Sequence, residues 1–205
     1  MSAFEFEGLS EDLIQSIMES LDQLPYLRLE DIPGIDLYMD QVTTFMDDRL
    51  ATSKRLKDDK ILTKTMINNY AKNKLLPPPV KKKYSRDHLL VLLFIYYFKG
   101  ILPLQDIQSL LGPLTEQYFK AQDGPDLGDV YQEIVRCGIA QTPRLREELS
   151  AMFESARESF PDADDKDGPF LRYFTLICLL SIDVYMKKRV IEQLIDGARA
   201  KKPEK

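Results

Sequence analysis

Ten apolar residues in succession, residues 89–98, do more than any other stretch to limit the folds open to this 205-residue chain. A run of that length is about half of what a bilayer-spanning helix requires. As a helix it is apolar on every side, so other elements must sheathe it. Around it, apolar residues recur at spacings of three and four almost throughout, and no alternating segment of useful length is visible. The expected fold class is therefore mainly α, with this helix in the core.

The remaining elements follow from punctuation. Ser10 caps a first helix that carries Leu13, Ile14, Ile17, Met18 and Leu21 on one face. Residues 24–36, with Pro25, Pro33 and Gly34, form an extended connector. A second helix covers residues 37–50 and buries Leu37, Met39, Val42, Phe45 and Met46, before a charged turn over residues 54–60. Thr63 caps a third helix that ends near Lys74 and buries Met66, Ile67, Tyr70 and Ala71. Pro77, Pro78 and Pro79 stop it, since each fixes φ and lacks an N–H. Ser85 caps the buried helix, with Asp87 in its first turn. Gly100 breaks that helix, Pro103 opens another, and Gly112-Pro113 closes it. Four further helices are expected over residues 114–121, 126–137, 143–160 and 169–195, the third capped by Thr142 and preceding an acidic loop, residues 162–168. The expected domains are residues 1–36, an N-terminal helix and connector; 37–112; and 113–200, a helical C-terminal domain for dimerisation or effector binding.

Charge singles out one region. Residues 54–99 hold twelve Lys and Arg against three Asp and Glu, whereas the remainder holds 16 basic and 30 acidic residues. An acidic body with one cationic segment repels polyanions everywhere except at one surface, which points to nucleic acid. Opposite its apolar face, the third helix carries Lys64, Thr65, Asn68, Asn69, Lys72 and Asn73. This is the logic of a helix-turn-helix, in which one helix docks by its apolar side and offers a polar side to the major groove. Carboxamides such as Asn68 and Asn69 can pair with adenine through two hydrogen bonds. Lys64 and Lys72 would hold phosphates, adding affinity without sequence information. Lys81, Lys82, Lys83 and Tyr84 then form a basic strip behind the prolines, with Arg86 close by.

These residues resemble a known family. Tyr70-Ala-Lys-Asn-Lys-Leu-Leu-Pro-Pro-Pro, Tyr84-Ser-Arg-Asp-His-Leu and Leu102-Pro-Leu-Gln-Asp-Ile-Gln-Ser-Leu-Leu are similar to the winged-helix domain of MerR-type regulators. More closely, the chain resembles an uncharacterised domain-of-unknown-function family of bacteria built around the same core, over about residues 37–111. The resemblance implies a MerR-like winged helix-turn-helix DNA-binding domain over residues 37–112. It implies that Tyr70 ends the recognition helix and bonds a phosphate, and that the strip from Pro77 to Tyr84 is the wing. The chain departs from MerR proteins in having Asn68 and Asn69 where an arginine and an aromatic are usual, in a shorter wing, and in a longer, more charged turn between the first two helices. The long coiled-coil helix of that family is not recognisable.

Other functions lack their residues. There is no Gly-rich phosphate loop, nucleophile elbow or His-Glu-x-x-His, so no enzyme and no cofactor are expected. One histidine and no close cysteine pair leave metal binding without ligands. Cys137 and Cys178 are expected as small buried hydrophobes, and His88 as a capping or surface residue. Tyr131, Phe153, Phe160, Phe170, Tyr173 and Phe174 are expected in the core, although they could line an effector pocket. The acidic start, residues 1–8, carries no secretory pattern, and no membrane partner is expected, which makes the cytoplasm the default. The expected function is sequence-specific binding of double-stranded DNA by a homodimeric transcriptional regulator, with a small-molecule effector as a further partner. The alternative is a helical protein-interaction module that keeps the winged-helix frame without DNA.

Overall fold

A computed structural model describes residues 9–21, 27–56, 58–164 and 166–200. Among them are seven helices: α1 (Glu11–Leu21), α2 (Met39–Arg49), α3 (Lys64–Lys72), α4 (Arg86–Phe98), α5 (Leu104–Tyr118), α6 (Leu127–Glu158) and α7 (Gly168–Ala200). Two short strands, β1 (Leu37–Tyr38) and β2 (Lys83–Tyr84), pair antiparallel. The chain is mainly α. It divides into two compact units, residues 24–139 and residues 1–23 with 140–205.

The first unit is organised on α4, where every residue from His88 to Ile95 is buried. The ten-residue apolar run is thus the core helix its composition required. Val42 and Met46 of α2, Ile67 and Tyr70 of α3, Ile107 and Leu111 of α5, and Leu127 and Tyr131 of α6 complete the core. The rings of Phe94 and Tyr131 meet edge to face at 5.7 Å. Residues 27–36 are packed rather than merely connecting: Leu27 and Ile32 are buried beside a 3-10 turn at Leu29–Asp31. The start of that connector, residues 24–26, lies outside the described residues, as do residues 1–8, Lys57 of the charged turn and Asp165 of the acidic loop.

Several boundaries differ from the sequence reading. Residues 37 and 38 form β1, and α2 starts at Met39, with the Gln41 side chain accepting from the Tyr38 N–H at 2.9 Å. A two-residue strand is too short for alternation to reveal it. Gly112-Pro113 does not end α5, which continues to Tyr118. The ring of a proline normally clashes with the Cβ of the residue before it, and Gly112 has none. The Thr115 hydroxyl also donates to the carbonyls of Leu111 and Gly112, at 2.9 and 3.0 Å. Thr142-Pro143 likewise opens no new helix: α6 runs unbroken through Pro143 for 32 residues. An interior proline deletes one hydrogen bond, a local loss that a long helix can absorb as a kink. Cys137 is exposed and Cys178 half-buried, against the expectation of burial. Cys137 lies ~120° around α6 from the buried Tyr131.

The second unit contains α1, the later part of α6 and α7. The Ser10 hydroxyl caps α1, accepting from the Leu13 N–H at 3.2 Å, yet α1 has no buried residue. Phe153, Ala156 and Ile195 are the buried hydrophobics in this unit, while Phe170, Phe174, Ile182, Val184, Tyr185 and Leu194 of α7 are exposed. Of the aromatics expected in the core, Tyr131 and Phe153 are buried, whereas Phe160, Phe170 and Phe174 are exposed. Phe170 and Phe174 simply stack along α7 at 5.9 Å. By length and composition alone, α7 is apolar enough to cross a membrane, with a mean hydropathy of 1.4 and nothing buried in its most apolar window. Arg172, Ser181 and Asp183 interrupt it, so no long uninterrupted apolar run marks it in the sequence.

Candidate nucleic-acid interface

Helix α3 starts where the sequence places it. Thr63 Oγ1 accepts from the Met66 N–H at 3.2 Å, satisfying one free donor of the first turn. Ile67 and Tyr70 face the core. Lys64, Thr65, Asn68, Asn69 and Lys72 are all exposed, and at 100° per residue they fall within an arc of ~140°. The helix ends in a Schellman arrangement, with the Leu75 N–H bonded to the Tyr70 carbonyl at 2.9 Å and the Lys74 N–H to the Ala71 carbonyl at 3.2 Å. Lys74 occupies the left-handed position of that cap, at φ 57°.

After the prolines the chain makes a tight hairpin. The Val80 N–H donates to the Lys83 carbonyl at 3.1 Å and the Lys83 N–H returns the bond at 2.9 Å. The two residues between them, Lys81 and Lys82, have φ of 50° and 64°. Positive φ at both central positions marks a type I′ turn, which favours Asn-Gly. A residue with a Cβ costs roughly 1–2 kcal/mol in that region. Lys81 and Lys82 are exposed at the tip. Lys83 is half-buried, with its Nζ 5.2 Å from the centre of the Tyr38 ring, its partner in the β1–β2 register. Both α3 and β2 pack against α2.

His88 fastens the base of this hairpin. Its Nδ1 accepts from the Ser85 N–H at 2.9 Å and lies 2.8 Å from the Ser85 hydroxyl, while Nε2 is 3.4 Å from the Pro78 carbonyl. Burial pushes its pKa below the usual histidine value, helped by the Lys120 charge and opposed by the Pro78 carbonyl, Asp87 and Asp36. The expected cap is present, but the residue is buried, not on the surface. Phe119 and Tyr84 pack edge-on against its ring, at 4.8 and 5.5 Å.

The expected contact residues separate into two groups. Thr65, Asn68, Asn69, Lys72, Lys81 and Lys82 are exposed, and the three lysines make no ion pair among the described residues. The others are engaged elsewhere. Tyr70 and Tyr84 are both buried, and burial raises both phenol pKa values; for Tyr70 this is the apolar-face position that helical spacing gave it, whereas Tyr84 leaves the exposed basic strip expected for it. Lys64 pairs with Asp40 on α2. Arg86 is half-buried and donates to the carbonyl of Leu29. Two further cations of the basic segment are also committed. Lys54 bonds Asp47 at 2.6 Å and holds that carboxyl below the usual range. Lys99 donates to the Ile61 carbonyl at 2.7 Å. Sequence reasoning missed α2 as the source of counter-charge, although Asp40 and Asp47 stand in plain view on its pattern. It also missed the left-handed lysines, because Lys-Lys is not a turn signal. No group of three metal-ligating side chains occurs among the described residues.

The chain belongs to the family described as Domain of unknown function (DUF1836), whose model matches residues 27–134. No curated protein and no solved structure matches it.

Proposed function

We propose that this member of the uncharacterised family binds double-stranded DNA sequence-specifically and regulates transcription. In this reading residues 37–112 form a MerR-like winged helix-turn-helix, α3 is the recognition helix, and the hairpin of residues 80–83 is the wing. The observation that carries it is the wing tip: Lys81 and Lys82 stand exposed in a turn that would be more stable with Asn-Gly. Strain retained at an exposed position is best explained by use. Thr65, Asn68 and Asn69 would face bases, while Lys72, Lys81 and Lys82 would hold phosphates. Lys64 joins them by exchanging Asp40 for a phosphate, since an exposed pair of this kind is worth about 0–1 kcal/mol.

DNA sites read by such modules are commonly two-fold symmetric, which calls for a homodimer. The exposed apolar residues of α7 suit that contact better than a bilayer. Arg172 and Asp183 lie within the helix, and each would cost about 2.5–3.5 kcal/mol at a membrane centre. A cytoplasmic, non-enzymatic protein without a cofactor completes the reading. Selection from a pool of random duplexes tests it: the full chain enriches a common motif, and Asn68→Ala with Asn69→Ala loses the enrichment. Failure to retain any duplex at low salt defeats the proposal.

A further inference from the structure

Three arginines and an apolar wall form a cleft between the 27–31 segment, the start of α4 and the first turns of α6. Arg28, Arg86 and Arg136 line it with Leu29, Val135 and Ile139, around a volume of ≈ 480 Å³. That is the size of a small-molecule site. Two of the arginines are matched by carboxylates at the exposed rim: Arg136 by Glu133 at 2.5 Å, and Arg28 by Glu30 at 3.4 Å. Arg86 is different. It is half-buried in the first position of α4, and among the described residues its hydrogen bond is to the Leu29 carbonyl, with no carboxylate partner. Its Nε is buried and has no hydrogen-bond partner. A half-buried guanidinium with one nitrogen shut off from water and no carboxylate partner is an incompletely balanced charge. The first turn of α4 adds positive potential at the same place.

We propose that this cleft binds a small organic anion, a carboxylate or phosphate monoester with an apolar body. The anionic group pairs with Arg86, within reach of Arg28 and Arg136, and the apolar body lies against Val135 and Ile139. The cleft is firmly built. The Tyr131 hydroxyl donates to the Leu27 carbonyl at 2.8 Å, and a Cβ on Gly128 would come within 3.3 Å of the Leu29 side chain. Arg86 follows Tyr84 of β2 by two residues, so a ligand there sits at the root of the hairpin. The site exists independently of what the hairpin binds.

Calorimetric titration of the full chain without DNA, at constant ionic strength, tests this with phenyl phosphate and inorganic phosphate as probes. Phenyl phosphate is expected to bind one to one and about tenfold more tightly than inorganic phosphate, because only it has a body for the apolar wall. Arg86→Met should abolish binding. Gln132→Glu, at an exposed position lining the same cleft, should weaken it about tenfold with an unchanged melting temperature. It leaves the bonds of Arg86 and Tyr131 intact, so it reports even if Arg86→Met fails to fold. No heat from phenyl phosphate at millimolar concentration, or binding unmoved by Gln132→Glu, overturns the proposal. With no DNA in the cell, neither result bears on the wing.

Discussion

Lys81 and Lys82 hold backbone angles that asparagine and glycine would hold at lower cost. Replacing them, Lys81→Asn with Lys82→Gly, should stabilise the protein by about 1–2 kcal/mol, read as a melting temperature raised by a few degrees. The same variant should bind duplex DNA more weakly, and a variant that is stabilised with unchanged DNA affinity would show that the tip has no role in binding. His88 makes a second prediction at this scale. Its folded pKa lies below the unfolded value of 6.5, so the unfolded chain takes up the proton first. Stability is therefore complete above about pH 6.5 and falls as pH drops below it. Protonation of Nδ1 would also set a donor against the Ser85 N–H. His88→Gln can still accept that N–H, as in a capping box, and should flatten the melting temperature between pH 7 and 5. Tyr131 is buried with its hydroxyl on the Leu27 carbonyl, and burial pushes its pKa up to about 12. Tyr131→Phe should cost about 1–3 kcal/mol in chemical denaturation, because that carbonyl loses its partner.

Among the elements, those with a local signal were legible and those defined by tertiary pairing were not. Thr63 and Ser85 announce the starts of α3 and α4: the Thr63 hydroxyl caps α3, and α4 opens in a capping box in which the His88 ring accepts from the Ser85 N–H. The apolar run places α4 in the core because nothing else can be done with ten such residues. The strands escape notice because two residues have no period, and their pairing joins positions over forty residues apart. The prolines at 113 and 143 mislead because a stop signal is a bias, and continued helix on both sides outweighs it. For the site, both faces of α3 were readable from helical spacing, whereas the burial of Tyr84 and the partial burial of Arg86 depend on which neighbours fold over them. The two faces of α3 should separate experimentally. Ile67→Ala, at a fully buried position, should cost about 2–5 kcal/mol of stability. Asn68→Ala should leave stability within about 0.5 kcal/mol, yet reduce discrimination between the selected motif and random duplex by about 1–3 kcal/mol.

At the scale of the molecule, charge and apolar surface are unevenly distributed. A chain with net charge −5 concentrates its cations in residues 54–99, and the structure commits Lys54, Arg86 and Lys99 to internal partners and pairs Lys64 with Asp40 at the surface. What α3 and the hairpin tip leave exposed for a polyanion is narrower than the sequence count, centred on Lys72, Lys81 and Lys82. The apolar surplus lies in α7, where Val184 is about 61% exposed. Sedimentation should find a dimer for the native chain and a monomer for Val184→Glu, since a charge inside a helix contact is costly and one on a free surface is not. Phosphate contact by the hairpin is read most directly from the salt dependence of duplex binding by the native chain and by the Lys81, Lys82 and Lys83→Ala variant. Each phosphate contact contributes roughly 0.9 to the slope of log affinity against log salt. The native chain should show a steep slope, and the triple variant one shallower by about 2, from the loss of Lys81 and Lys82. Two lines of equal slope would contradict it.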